Sequence, residues 1–266
     1  MSTVTVTLVC VHFGDKFWVE NLIKQTVHLT QIERIIVCTK DNIKFEFENL
    51  DKIEILRIDK PNKEHASFDH ADAISEIQKL EFNSSHIMLI DTDIIGLNED
   101  SLAYINTIMS KQNCILAVDP SYRWYTHPCF MFLEKTLFQS ANFTPELLTF
   151  SEKQGIRNLL IDTGRQIGIS LARQNLSVRL VHSSKFQRWL PWDFYWELGV
   201  IHMKSRSFTK TQKGMNRSVE LSNIYDCYCK WFTKQYSHKP RKSGYFQFLK
   251  FIFSSDLRKM LLNKLN

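Results

Sequence analysis

Two hydrophobic rhythms alternate along this chain, one short and dense, the other longer and spaced. Residues 4–12 read Val-Thr-Val-Thr-Leu-Val-Cys-Val-His, rich in β-branched side chains, and predict a first strand. Gly14 and Asp15 interrupt it, and Phe17, Leu22, Ile23 and Val27 then recur at helical spacing. Residues 34–39 and 52–58 repeat the strand signature, the first of them stopping before the turn-forming Lys40-Asp41-Asn42. After Pro61 a helix begins near Ser67, with His70, Ala73, Ile74, Ile77 and Leu80 on one face and Asp72, Glu76 and Lys79 on the other. The apolar run 86–90 ends on Asp91 and predicts a strand buried on both faces. A helix over 99–111, strands over 114–119 and 129–133, and a helix over 162–173 complete the pattern. From Pro120 onward the chain becomes less regular and more aromatic.

Strands and helices that alternate at these lengths imply an α/β domain, with a mostly parallel central sheet flanked by helices and right-handed crossovers. The 266 residues suffice for one large domain with a small appendage. The expected division is a domain over 1–235, with halves at about 1–119 and 120–235, followed by a helical tail over 236–266. At 44% apolar and 23% charged the composition is globular. No run of about 18 apolar residues is present, so no spanning helix is expected. The first residues lack the basic and apolar regions of a secretory signal, and a cytoplasmic location is expected. Cys10, Cys38, Cys114 and Cys129 lie singly in apolar stretches and read as small hydrophobes; Cys227 and Cys229 lack the spacing of a structural zinc pair.

The net charge of +6 is unevenly distributed. From Lys230 onward there are nine Lys or Arg against Asp256 alone, a balance of +8, whereas the preceding residues carry 25 basic and 27 acidic side chains, a balance of −2. The tail mixes this charge with large apolar residues, as in Tyr245-Phe-Gln-Phe-Leu-Lys-Phe-Ile-Phe. That pattern fits a basic amphipathic helix on an anionic membrane surface, a helix packed on the body, or a dimer contact. No nucleic-acid-binding module accompanies the charge, and no nucleic-acid partner is expected.

The candidate chemistry centres on Asp91-Thr92-Asp93. Open α/β sheets bind ligands beyond the carboxyl ends of their strands, where this pair falls. Alternate residues of an extended chain face the same way, so both carboxylates can address one site. Their mutual repulsion is relieved by a hard divalent cation, which can also hold a diphosphate. A competing reading makes either Asp the cap of the following helix, a role that Asn98 or Ser101 could fill instead.

With these elements in this order, the sequence resembles the GT-A glycosyltransferases of the nucleotide-diphosphosugar transferase superfamily. The agreement spans roughly residues 3–210 with gaps, and bacterial or viral transferases that build surface polysaccharides look most alike. The resemblance implies that Asp91 and Asp93, through the family's Asp-x-Asp, hold Mn²⁺ or Mg²⁺ on a sugar nucleotide, with Thr92 beside them. Val11, His12, Phe13 and Thr39 would line the base pocket, a UDP-sugar being the favoured donor, although relatives often carry Asp where Thr39 stands. His70 matches a basic residue facing the nucleotide, or is a satisfied core histidine. His202 would complete the metal site from a closing C-terminal loop, with Lys204 and Arg206 near the diphosphate. Asp162 is either the base that deprotonates the acceptor, which favours inversion, or a helix N-cap. Trp124 and His127 in one aromatic cluster, and Trp192 and Asp193 in another, would contact a saccharide or lipid-linked acceptor; Asp193 or Glu197 is a further candidate base. Core packing is the competing role for the rings.

Two other enzyme classes fit less well. A phosphatase-like hydrolase using Asp91 and Asp93 would carry the pair on its first strand, and here three predicted strands precede it. A sugar nucleotidyltransferase would show a glycine-rich opening after the first strand, which is absent. A catalytically inactive scaffold of the same fold would bind neither metal nor sugar nucleotide.

Overall fold

The computed structural model describes residues 4–13, 16–39, 45, 51–58, 66–112, 115–119, 126–152, 155–161, 163–183, 193–195 and 197–202. The first strand β1 (Val6–His12) is buried along its whole length. It lies between β2 (Ile32–Thr39) and β4 (His86–Asp91), parallel to both. β3 (Ile53–Arg57) extends the sheet beyond β2. On the other side β7 (His127–Glu134) pairs antiparallel with β4 and with β6 (Ile115–Asp119), and β10 (Val178–His182) closes the edge parallel to β6. The sheet order is β10-β6-β7-β4-β1-β2-β3. The result is the expected α/β fold, a mostly parallel central sheet flanked by helices and interrupted by one reversed strand.

Strand alternation divides the core into two layers. Leu8, Cys10, Met88 and Ile90 face α1 (Lys16–Thr26) and α3 (Glu99–Gln112). Val9, Val11, Ile87 and Leu89 face α2 (Ala66–Ile77), α4 (Lys135–Ser140) and α5 (Thr163–Arg173). Trp18, Val19, Leu22, Ile23 and Thr26 form the buried stripe of α1, as a 3.6-residue repeat requires. Ala73, Ile74 and Ile77 do the same for α2.

Several elements escape the hydrophobic pattern. β8 (Glu146–Glu152) and β9 (Gly155–Ile161) form a separate antiparallel hairpin. β5 (Ile94–Ile95), β11 (Asp193–Tyr195) and β12 (Val200–His202) form a small sheet in the order β11-β12-β5. Strands of two or three residues are too short to show a period. Long-range contacts define them. Gln25 on α1 donates to the Ile94 carbonyl at 3.0 Å and accepts from the Gly96 N–H at 2.8 Å, clamping β5 from below. Gly96 adopts φ 93°, a left-handed conformation that a side chain would disfavour.

Candidate active site

Asp91 ends β4, and the turn through Thr92 and Asp93 leads directly into β5. Neither carboxylate caps the next helix. Asn98 does so, its Oδ1 accepting from the N–H groups of Asp100 at 2.9 Å and Ser101 at 3.2 Å. The Ser101 hydroxyl instead donates to the Leu198 carbonyl at 2.6 Å, tying α3 to the turn between β11 and β12. Gly199 in that turn has φ 68°. The turn brings β12 back antiparallel to β5, with His202 opposite Ile94.

This small sheet carries His202 onto the two carboxylates. Its Nε2 lies 3.4 Å from Asp91 Oδ2 and 3.3 Å from Asp93 Oδ1. Both contacts are at ion-pair range without hydrogen-bond alignment, and neither ring nitrogen has a hydrogen-bond partner among the described residues. Asp93 and His202 are buried, while Asp91 keeps a side-chain exposure of 28%, so the cluster opens on the Asp91 side. The sequence places His202 on a closing loop; here it ends a buried strand, held by backbone pairing to β5 and β11.

Three further side chains converge. His70 on α2 places Nε2 3.8 Å from Asp91 Oδ1. His127, the first residue of β7, accepts the Cys129 N–H on Nδ1 at 3.1 Å, and its ring centroid is 6.0 Å from that of His202. Cys129 itself is buried, and its Sγ, an Asp91 oxygen and a His202 nitrogen all lie within 4.8 Å of one another. The sequence reading, which makes Cys129 a small hydrophobe, is corrected here: the thiol lines the polar cluster. No periodicity marks it, because β7 runs antiparallel and presents its first residues at the edge where the parallel strands end.

The electrostatics follow from this crowding. Burial alone would raise the Asp91 carboxyl, but the contact and charge of His202, with His70 and His127 adding to them, bring it down to about 2. Burial disfavours a charged His202, yet Cys129, Asp93 and Asp91 together hold it well above the ordinary imidazole range. Desolvation lowers His70 despite Asp91. Burial would also raise the Cys129 thiol, and the neighbouring His127 and His202 bring it below its ordinary value instead. An imidazolium wedged between two carboxylates supplies the positive charge that the pair demands, and a divalent cation would supply more. A hard divalent cation takes the two carboxylates, and a softer one also takes the imidazole and the thiol.

Of the other expected site residues, Val11, His12 and Thr39 lie along the same edge. Val11 pairs in register with Asp91 and His12 with Thr39, so the ends of β1 and β2 continue the line begun by β4. His12 and Thr39 are fully buried, Val11 and Thr92 nearly so, and Phe13 partly exposed. The His12 ring meets Phe45 edge-on at 6.2 Å. Asp193, buried, starts β11 opposite His202. Glu197 is exposed and bound to Arg179 at 2.9 Å and to the Tyr104 hydroxyl. Trp124, Asp162, Trp192, Lys204, Arg206 and the tail 236–266 lie outside the described residues.

Strands β6 and β10 add a pair that sequence reasoning did not select. Asp119 ends β6 and His182 ends β10, in register, with Nδ1 of His182 3.1 Å from Oδ2 of Asp119. Asp119 is fully buried, and a quarter of the His182 side chain is exposed. The signal for Asp119 was present: Ile-Leu-Ala-Val-Asp repeats the apolar run closed by Asp that marks Asp91. Read in strand order, the edge therefore carries His182, Asp119, His127, Asp91, His12 and Thr39. A cleft of about 430 Å³ opens elsewhere, lined by Arg34, Asp51, Lys52, Glu54 and Ser84, and shares no residue with this line.

Fold and site together define an α/β domain with a candidate metal cluster at the carboxyl edge of its mostly parallel sheet. Neither a protein-family model nor a curated protein matches the chain. Among solved structures it is similar to glucosyl-3-phosphoglycerate synthase from Mycobacterium tuberculosis in complex with Mn²⁺, UDP-glucose and glycerol 3-phosphate. That likeness has 10% identity, covers 67% of this chain and 69% of that one, and has a TM-score of 0.42. It is also similar to 4-diphosphocytidyl-2C-methyl-D-erythritol synthase from Anaerococcus prevotii, at 9% identity over 69% and 88% of the two chains and a TM-score of 0.41. Likenesses of this extent assign no activity.

Proposed function

We propose that this protein is a metal-dependent glycosyltransferase that moves a sugar from a nucleoside diphosphosugar to a saccharide or lipid-linked saccharide. The observation that supports this reading most is the meeting of Asp91, Asp93 and His202 at the carboxyl edge of the sheet. Bound there, Mn²⁺ or Mg²⁺ would act as a Lewis acid that offsets the charge developing on a leaving diphosphate. Asp91 and Asp93 would hold the ion, and His202 would add a nitrogen ligand after giving up its proton. Val11, His12, Phe13 and Thr39 would bound the base, with uracil favoured, and His70 would lie beside the diphosphate with Thr92 and Lys204. We assign the acceptor to His127, Asp193, Trp124 and Trp192, with Asp162 as the base of an inverting transfer.

A thermal-shift screen tests the donor half. UDP and UDP-sugars are expected to raise the melting temperature in the presence of Mn²⁺ and not after chelation. No metal-dependent shift with any nucleoside diphosphate would reject the reading. The basic tail suits a peripheral contact with an anionic membrane, where a lipid-linked acceptor of surface-polysaccharide synthesis would be found. Deleting residues 240–266 should release the protein from anionic vesicles; retained binding would remove that role. No helix of the described residues is long and apolar enough to cross a membrane.

A further inference from the structure

Cys129 is out of place in a site meant only for a hard cation. Mg²⁺ and Mn²⁺ prefer oxygen donors, and a thiol adds nothing to their binding. Here a buried thiol shares a space 4.8 Å across with a carboxylate oxygen and an imidazole nitrogen. The imidazole is nine-tenths buried, and its nitrogens have no hydrogen-bond partner among the described residues. We propose that this cluster binds a thiophilic divalent ion, Zn²⁺ or Co²⁺, through the Cys129 thiolate, His202 and Asp91, and that Cys129 sets its preference over Mg²⁺.

The geometry suits such an ion. Zinc bonds of about 2.0–2.3 Å to N, O and S around a tetrahedron hold neighbouring donors about 3.5 Å apart. The His202–Asp91 separation of 3.4 Å already matches that spacing. The fourth position falls to Asp93, whose Oδ1 is 3.3 Å from His202 Nε2, or to a water or a ligand oxygen. The ligand elements are rigid, since Cys129 lies in β7, Asp91 in β4 and His202 in β12. On binding, the thiol proton and any His202 proton pass to solvent as the metal–sulfur and metal–nitrogen bonds form. Tyr195, whose hydroxyl is 4.0 Å from Cys129 Sγ, would then donate to the coordinated sulfur and fix its direction.

This inference rests on the metal reading of the site but can fail independently of it. Affinity order does not discriminate, because Zn²⁺ outranks Mn²⁺ at most nitrogen and oxygen sites as well. The direct test is spectroscopic, on the full chain stripped of metal. One equivalent of Co²⁺ should produce a thiolate-to-metal charge-transfer band, and X-ray absorption of the Zn²⁺ form should show a sulfur neighbour at about 2.3 Å. In Cys129→Ser the band and the sulfur shell should vanish, and Zn²⁺ affinity should fall on the order of tenfold or more with Mg²⁺ affinity unchanged. A band that survives in Cys129→Ser assigns the sulfur to another cysteine and overturns the proposal. Stoichiometric Mn²⁺ or Co²⁺ binding without a sulfur ligand overturns it too, while leaving metal-dependent transfer standing. If no ion binds, both readings fail. If the serine variant does not fold, Cys129→Ala makes the same comparison, and a wild-type Zn²⁺ form without a sulfur shell overturns the proposal by itself.

Discussion

Nε2 of His202 lies 3.4 Å from Oδ2 of Asp91, although the two residues belong to different sheets. The contact exists because β5 begins directly after the Asp93 turn and pairs with β12. Any change in that small sheet therefore changes the geometry of the carboxylates.

The first prediction concerns Asp93, which is buried against His202. Asp93→Asn keeps the shape but removes a charged metal ligand. Turnover should fall on the order of a thousandfold, as loss of several kcal/mol of charge stabilisation implies. Mn²⁺ binding, followed by electron paramagnetic resonance, should weaken in parallel, with the circular dichroism spectrum unchanged. Unaltered turnover would remove Asp93 from the metal site.

Stability of the metal-free protein should depend on pH in two separable limbs. Asp91 is held at about 2, below the value of about 3.9 expected in an unfolded chain. Its contribution is thus complete above about pH 4 and lost as pH falls toward about 2. His202 is shifted the other way, so its contribution is complete below about pH 6.5 and lost as pH rises through its folded value. Urea unfolding across this range, in excess chelator, should show Asp91→Asn flattening the acid limb and His202→Gln the alkaline one.

Gly164 opens α5 against the start of β7. A Cβ there would stand 2.3 Å from the Thr126 carbonyl oxygen, 2.7 Å from Pro128 Cδ and 3.0 Å from His127 Cα. Gly164→Ala should therefore cost about 1–3 kcal/mol in urea unfolding and push His127 away from His202. An alanine variant as stable as the parent would show that α5 can shift freely.

Asn98 offers a control outside the metal cluster, with its Nδ2 also donating to the Gly96 carbonyl after β5. Asn98→Ala removes the cap of α3 and should cost about 1 kcal/mol, or about 2–4 °C in melting temperature. Metal affinity should be unchanged, since neither Asp91 nor Asp93 contributes to that cap. A metal defect in this variant would return the two carboxylates to a capping role.

The chain's own periodicities determined the sheet and its main helices. Seven-residue β1, buried throughout, and the α1 stripe of Trp18, Leu22 and Ile23 are legible because burial imposes a period of two or 3.6 on neighbouring residues. The Asp91–Asp93 pair was legible too, since an apolar run closed by acids marks a strand's carboxyl end. The family resemblance set His202 beside those acids, but tertiary structure alone brought His127 and Cys129 to them. β5, β11 and β12 are too short to carry a period, the reversal of β7 leaves no local trace, and Cys129 reads like any buried thiol until β7 is set beside β4. Local sequence records whether a residue is covered, but the identity of what covers it depends on strand order. That order depends on contacts between segments far apart in the chain.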